Sequence, residues 1–419
     1  LVASASTEKE PVGESGEGVQ MGRVNWVNEV ADKYLDMEKT FDDLFQRFTD
    51  ESHFSLGSGV ASREVYSSER VAHDIAGLLT GSGPSQYFFS PYKGDRFLRQ
   101  KLASFLATKG VKASSGEIQI LSETNQALDF IVTLLVKPGD SVVMEEPVHP
   151  DMYRVMELAG ARILTVPVDE DGMNCDVLES LLTQTRPRLI FVNSSFHDPT
   201  GCILSLERRK KLVELSSRYR IPIVEEDAAS ELVYDGDKLP PIKAFDTTGN
   251  VIYIYSFSLT FIPGLSLAFV TGNRDFVRAL SYLVSVRLMA SDWMTQKLLG
   301  MYLDDGSYYS SLATFREIYS GNRDLVCQKL DALAHLGVRY ERPRGGVYVW
   351  CRLPDGVDSK HFINRAYNMG VTLIPGHVFY PYKNGGRDYI RINYSYESRE
   401  RLACGMDVLH KALEEELEE

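Results

Sequence analysis

Glu123, His149, Asp198 and Glu226 each follow a short β-rich run, at positions where side chains can meet at one edge of a sheet. Carboxylates and an imidazole divide acid and base work between them once their neighbours push their pKa values apart. Ionised carboxylates also stabilise an iminium or other cationic intermediate. Arg391, in the run Tyr389–Asn393, adds a guanidinium, the usual fork for a carboxylate. Each group also has a plainer use. Glu123 suits a helix N-cap, His149 a polar wall and Asp198, before Pro199, a turn. Glu226 suits an ion pair closing a strand, and Arg391 a structural salt bridge. The four acid–base groups could hold a divalent ion. The eight histidines show no His-Glu-x-x-His spacing, however, and no metal is expected.

The elements that must position these groups alternate. Ile118–Leu121, Ser141–Met144, Arg162–Val166, Leu189–Val192, Ile221–Glu225, Val251–Tyr255 and Leu267–Thr271 read as seven strands. Between them lie amphipathic helices, among them one ending near Leu135 and one over Arg208–Tyr219. Such alternation predicts a mostly parallel sheet covered on both faces. A long helix over 308–335 follows, then a smaller α/β unit with strands near 337–341, 346–352 and 388–394. A helical stripe runs through Val24, Val27, Val30, Tyr34, Leu35, Phe41, Leu44 and Phe45.

Several separated motifs arrive in a recognisable order. They are Tyr87 with the run Gly94–Arg99, then Gln126–Asp129, Pro138–Asp140 and Asp198–Gly201, followed by Ser256–Ser258, Pro263–Gly264, Gly345–Gly346, Pro375–Gly376 and Arg391. Over residues 54–415 the chain resembles the fold-type I pyridoxal-phosphate (PLP) enzymes, in the class I/II aminotransferase branch that includes α-aminoadipate and MocR-like members. The resemblance implies the aspartate-aminotransferase-like α/β fold, with a seven-stranded, mostly parallel sheet in a large domain and a small α/β domain. It also implies boundaries: a disordered tail over 1–22, an N-terminal arm and part of the small domain over 23–79, the large domain over 80–305 and the small domain over 306–419.

Residue by residue, the resemblance departs from the family at the cofactor site. The family reads Ser-Phe-Ser-Lys-Thr and then Pro-Gly-Leu-Arg, where the lysine forms a Schiff base with PLP and the arginine clamps its phosphate. Here those positions are Leu259 and Ser266. Leucine has no nucleophilic nitrogen, so no covalent bond to PLP can form there. Glu123 takes the place of a glycine at the phosphate-binding helix start, where it competes for the same donors. His149 replaces the aromatic ring that stacks on the pyridine. Asp198 replaces an asparagine that bonds the phenolic oxygen, Glu226 an aspartate that pairs with the pyridine nitrogen, and Ala229 a tyrosine. Thr124, Ser256 and Ser258 still match anion donors. Tyr87 matches a tyrosine reaching in from a neighbouring subunit, and Arg391 the arginine that holds the substrate carboxylate.

Two lost positive charges and two gained negative ones make the implied pocket four units more negative than a family member's. Each unit at ~4 Å is worth roughly 4 kcal/mol at an effective dielectric of about 20. The expectation is therefore a PLP-independent enzyme, with no cofactor. Its Glu226 and His149 would transfer protons, with Glu123 or Asp198 beside a positive charge. The chemistry would be cyclisation, condensation, elimination or isomerisation of a small amine-containing carboxylic acid held by Arg391. One alternative is a PLP- or pyridoxamine-phosphate (PMP)-dependent transferase that binds its cofactor non-covalently. Another is a non-catalytic pseudoenzyme that binds a ligand or partner.

Composition narrows the remaining classes. The 419 residues suffice for two domains, with 44% hydrophobic and 25% charged residues. Net charge is −13, and no basic patch appears, so no nucleic-acid partner is expected. No apolar run reaches about 18 residues, which predicts no membrane span. Cysteines at 175, 202, 327, 351 and 404 form no Cys-x-x-Cys pair and read as reduced thiols in a cytoplasmic protein. A homodimer is expected from the family pattern around Tyr87.

Overall fold

The computed structural model describes residues 52–62, 64–81, 91–262, 264–288 and 292–418. The predicted tail and helical stripe, and Tyr87, lie outside the described residues. Fourteen strands occur among those described: β1 Phe54–Ser55, β2 Ile118–Leu121, β3 Ser141–Glu146, β4 Arg162–Asp169, β5 Gly172–Met173, β6 Ile190–Asn193, β7 Ile223–Asp227, β8 Val251–Ser256, β9 Ala268–Thr271, β10 Arg339–Tyr340, β11 Tyr348–Arg352, β12 Val371–Thr372, β13 Ile374–Pro375 and β14 Tyr389–Asn393.

The main sheet runs β2-β9-β8-β7-β6-β3-β4-β5. Its centre, from β8 through β4, is parallel, and β9 and β5 are antiparallel to their neighbours. Seven of these strands match the seven expected runs within a few residues. The eighth, β5, is a two-residue hairpin partner of β4, too short to carry a periodic apolar signal.

Alternation along the strands fixes which side chain faces which layer. Val142, Met144, Phe191, Val224, Ile252 and Ile254 pack in one apolar cluster with the helix Thr124–Leu135 and the helix Arg274–Arg287. Val143, Ile190, Val192, Ile223 and Val251 pack in another with the helices Cys175–Gln184 and Leu206–Tyr219. The sheet is thus covered on both faces, which leaves the carboxyl ends of the parallel strands as the open edge. Glu226 shares parity with Val224 and Asn193 with Phe191, so both belong to the face covered by the helix Thr124–Leu135. Glu225 and Asp227 belong to the other face.

Capping side chains explain where several helices begin. Asp95 accepts from the Leu98 N–H at 2.9 Å and starts the helix Arg96–Thr108. Ser205 accepts from Arg208 and starts the helix Leu206–Tyr219. The sequence Pro138-Gly-Asp140 turns the chain into β3, with Gly139 at φ 87°. The predicted long helix spans Ser307–Ala332. It leads into a four-stranded antiparallel sheet of order β10-β11-β14-β13, with Arg391 on β14 opposite Trp350 and Ile374. Among the described residues no helix is long and apolar enough to cross a membrane.

Candidate functional site

Three acids in succession, Glu225, Glu226 and Asp227, end β7, and all are buried. Each is partnered differently. Glu225 accepts from the Ser194 hydroxyl at 2.6 Å and from the N–H groups of Ile242 and Lys243 at 2.7 and 2.8 Å. Asp227 accepts from the Tyr253 hydroxyl at 2.5 Å and lies 3.8 Å from Lys109 Nζ. Glu226 receives the Asn193 Nδ2–H from the neighbouring strand. Burial raises the Glu226 pKa to about 8, with further upward pushes from Asp227, Asp198 and Glu225. At neutral pH it therefore holds a proton.

A second layer lies behind it. Glu145, at the end of β3, accepts the Asn193 backbone N–H at 2.7 Å, and burial holds its carboxyl well above the usual range. His197 Nε2 lies 3.6 Å from Glu145, and burial lowers the His197 pKa to about 4. Glu145 Oε1, Asn193 Oδ1 and His197 Nε2 are buried without hydrogen-bond partners. The sequence reading singled out none of these three residues. An acid directly after the apolar run Val142–Met144 is the signal that marks Glu145.

Asp198 and Arg391 meet across 193 positions of sequence. Arg391 Nη1 donates to both Asp198 oxygens at 2.8 and 2.7 Å, and Nη2 donates to the Gly57 carbonyl at 2.8 Å. The Tyr348 and Phe379 rings lie 4.3 and 5.2 Å from the guanidinium carbon. Burial alone would lower the Arg391 pKa, but Asp198 reverses the sign, and the net shift is upward. Arg391, expected to face a substrate carboxylate, is found holding a carboxylate of its own chain.

His149 caps the helix Pro150–Leu158, its Nδ1 accepting from the Asp151 N–H at 3.3 Å. Its Nε2 stands 3.8 Å from Asp198, beyond hydrogen-bond range. Asn125 donates to Asp151 at 3.2 Å and so ties the start of the helix Thr124–Leu135 to the His149 segment. Glu123 occupies the N-cap position of that helix, yet its side chain makes no capping hydrogen bond. The first-turn N–H groups are therefore not taken by this carboxylate. No shared contact joins Glu123 to Asp198 or Glu226.

Leu259 follows β8 in a tight turn and is buried in the main apolar cluster. Beside it the Ser256 hydroxyl donates to Ser258 at 3.1 Å and accepts the Ser258 N–H at 3.2 Å. Ser266 precedes β9, which pairs with β8 so that Ser256 faces Ala268. The Ser266 hydroxyl is buried and has no partner. Lys109, the one lysine among the described buried residues, cannot stand in for an amine here. Its Nζ contacts Ser230 and Glu231, both at 2.6 Å, on the side of β7 opposite Glu226. No group of three or more His, Cys, Asp or Glu poised for a metal occurs among the described residues.

The family model for aminotransferase class I and II matches residues 54–407. The chain belongs to that family. The aromatic-amino-acid aminotransferase 1 of Thermococcus litoralis is 28% identical over 369 residues, 87% of this chain and 88% of its own. The 2-aminoadipate transaminase of Thermus thermophilus is 30% identical over 362 residues, 86% of this chain and 89% of its own. The structure of Pyrococcus horikoshii kynurenine aminotransferase, solved with PMP, is 27% identical and superposes with a TM-score of 0.88, covering 94% of this chain and 98% of that one.

These aminotransferase relatives overturn the expectation of a PLP-independent, cofactor-free pseudo-aminotransferase. The charge count behind that expectation treated ionisable groups as free charges. In the structure Asp198 is paired with Arg391, Glu226 carries a proton at neutral pH, and Glu123 leaves the helix start uncapped by its side chain. The Asp198–Arg391 pair and the Glu226 proton reduce the negative charge that meets a phosphate.

Proposed function

We propose that the chain is a PLP-type transferase that moves amino groups and holds its cofactor, in pyridoxal or pyridoxamine form, without a covalent bond. The observation that carries this reading is the buried, unpartnered Ser266 hydroxyl. An orphaned hydroxyl is costly unless a ligand oxygen completes it. The Ser258 hydroxyl, which accepts from Ser256, and the helix start at Thr124 would supply further donors for the same phosphate. Glu226 would offer its protonated carboxyl to the cofactor ring, and His149 would provide a planar ring as a wall of the site. The absence of an amine at Leu259 is what makes the attachment non-covalent.

When bound, the cofactor supplies an electron-withdrawing ring through which an amino group passes between a carbonyl and an amine. The chain's own part is binding and proton placement. Glu226 keeps its proton at the carboxyl beside Asn193, and His149 places its Nε2 3.8 Å from Asp198. Relatives named for aromatic amino acids, 2-aminoadipate and kynurenine support a small molecule bearing an amino group as the reacting partner. A homodimer, with Tyr87 completing the neighbouring pocket, is part of the same proposal. Light scattering tests it, and a monomer mass at micromolar concentration refutes it.

The cofactor reading is tested by calorimetric titration of the purified chain with PMP. Saturable one-to-one binding in the micromolar range is expected. Pyridoxal phosphate should bind but dialyse away, and borohydride treatment should leave no adduct in the turn containing Leu259. No saturation by about 1 mM, or a borohydride-fixed adduct in that turn, overturns the proposal.

A further inference from the structure

Arg391 is closed to an incoming carboxylate by the chain itself. Both oxygens of Asp198 lie on Nη1, Gly57 takes Nη2, and Tyr348 and Phe379 pack on the guanidinium. Nε is buried and unpartnered, and the whole residue is 2% exposed. A ligand carboxylate has two ways in. It can displace Asp198, which leaves that acid unpaired near the buried Glu226. Otherwise it must lie against Asp198, carboxylate beside carboxylate, in a site with little water. Both are unfavourable.

A primary amine without a carboxylate meets neither obstacle. It leaves the Asp198–Arg391 pair intact and brings no second anion to a guanidinium whose Nη donors are already taken. Building on the cofactor reading above, we propose that the amino-group donor is a primary amine lacking an α-carboxylate. Asp198 is then the specificity-determining residue, because it supplies from within the chain the anion that an amino acid would bring.

Matched ligands test this on the full chain. Calorimetry compares tyramine with tyrosine, and uses hydrocinnamate as a carboxylate without an amine. Wild type is expected to bind tyramine at least about tenfold more tightly than tyrosine and to ignore hydrocinnamate. Asp198→Asn removes the competing charge, so the tyrosine-to-tyramine affinity ratio should rise by about tenfold or more. That gain should vanish on adding Arg391→Gln. Asp198→Glu keeps the charge pair and should keep the amine preference, which guards against misreading a folding defect. Equal or better binding of tyrosine by wild type overturns the proposal. So does an unchanged ratio in Asp198→Asn, including binding of neither ligand by either protein. PMP binding is measured separately. Its failure with the amine preference intact removes the cofactor reading alone. Normal PMP binding with tyrosine preferred removes this inference alone.

Discussion

Asn193 and Glu226 stand opposite one another on adjacent parallel strands, and the Asn193 side-chain amide donates to the Glu226 carboxyl. The contact lies at the open end of the sheet, where doubly wound folds bind ligands. It holds an acid that keeps its proton at neutral pH.

That proton makes stability pH-dependent. The folded pKa of Glu226, about 8, lies above its ordinary value of 4.5. The folded state therefore binds the proton more tightly. The resulting stabilisation is complete below about pH 4.5 and is lost as pH rises through about 8. Glu226→Gln should abolish this loss, gaining on the order of 2–4 kcal/mol over wild type at pH 9 relative to pH 5. Thermal melts across that range check it. Parallel curves for the two proteins would falsify the assignment.

Ser266→Ala separates an orphaned hydroxyl from a structural one. Without ligand, the variant should melt at the same temperature or slightly higher, since the unmade bond costs the native state up to about 1 kcal/mol. With PMP it should bind about five- to tenfold more weakly. A loss of unliganded stability together with unchanged affinity would point to an ordinary packing role.

Lys109 belongs to a separate network. Glu231 contacts Lys109, Lys238 and Arg316. Burial would raise the Glu231 pKa, but Lys109 and Lys238 outweigh it and bring the value down to about 2. Lys109→Met should cost about 3 kcal/mol in urea unfolding, because it strips a buried acid of one partner. PMP affinity should stay within about twofold, since the network lies across the sheet from Glu226. A large loss of affinity at unchanged stability would contradict the separation.

Gly345 lies where two backbones and a ring converge. A Cβ there would collide with the Leu232 carbonyl oxygen and the Phe196 ring. Phe196 itself has φ 54° and stands two residues before Asp198. Gly345→Ala should destabilise by about 1–3 kcal/mol and, by moving Phe196, weaken the Asp198–Arg391 contact. Urea unfolding and the tyrosine-to-tyramine affinity ratio read the two effects.

The long strands are legible in the sequence because each carries an unbroken apolar run bounded by turn residues. Single residues such as Glu226 and Asp198 can also be picked out as site candidates. Their state cannot. Whether Asp198 is a free charge depends on Arg391, which comes from a different sheet and has no local pattern linking the two. Whether Glu226 is charged depends on burial and on Asp198, Glu225 and Asp227 around it. Glu145 and Asn193 were recoverable in principle as polar residues at the ends of apolar strands. His197 leaves no such mark, because its position under the site is purely tertiary.

The acid run that ends β7 bears on how the sheet assembles. Moving the strand by one residue exchanges the faces of all its side chains. Glu225 would leave its two backbone N–H donors, Asp227 would lose Lys109 and Tyr253, and an acid without its proton-retaining surroundings would enter the place of Glu226. A slipped pairing would bury unmatched charge at three successive positions, each penalised for a different reason. The triplet therefore penalises misaligned pairing most sharply at the carboxyl end of β7, where Asn193 meets Glu226.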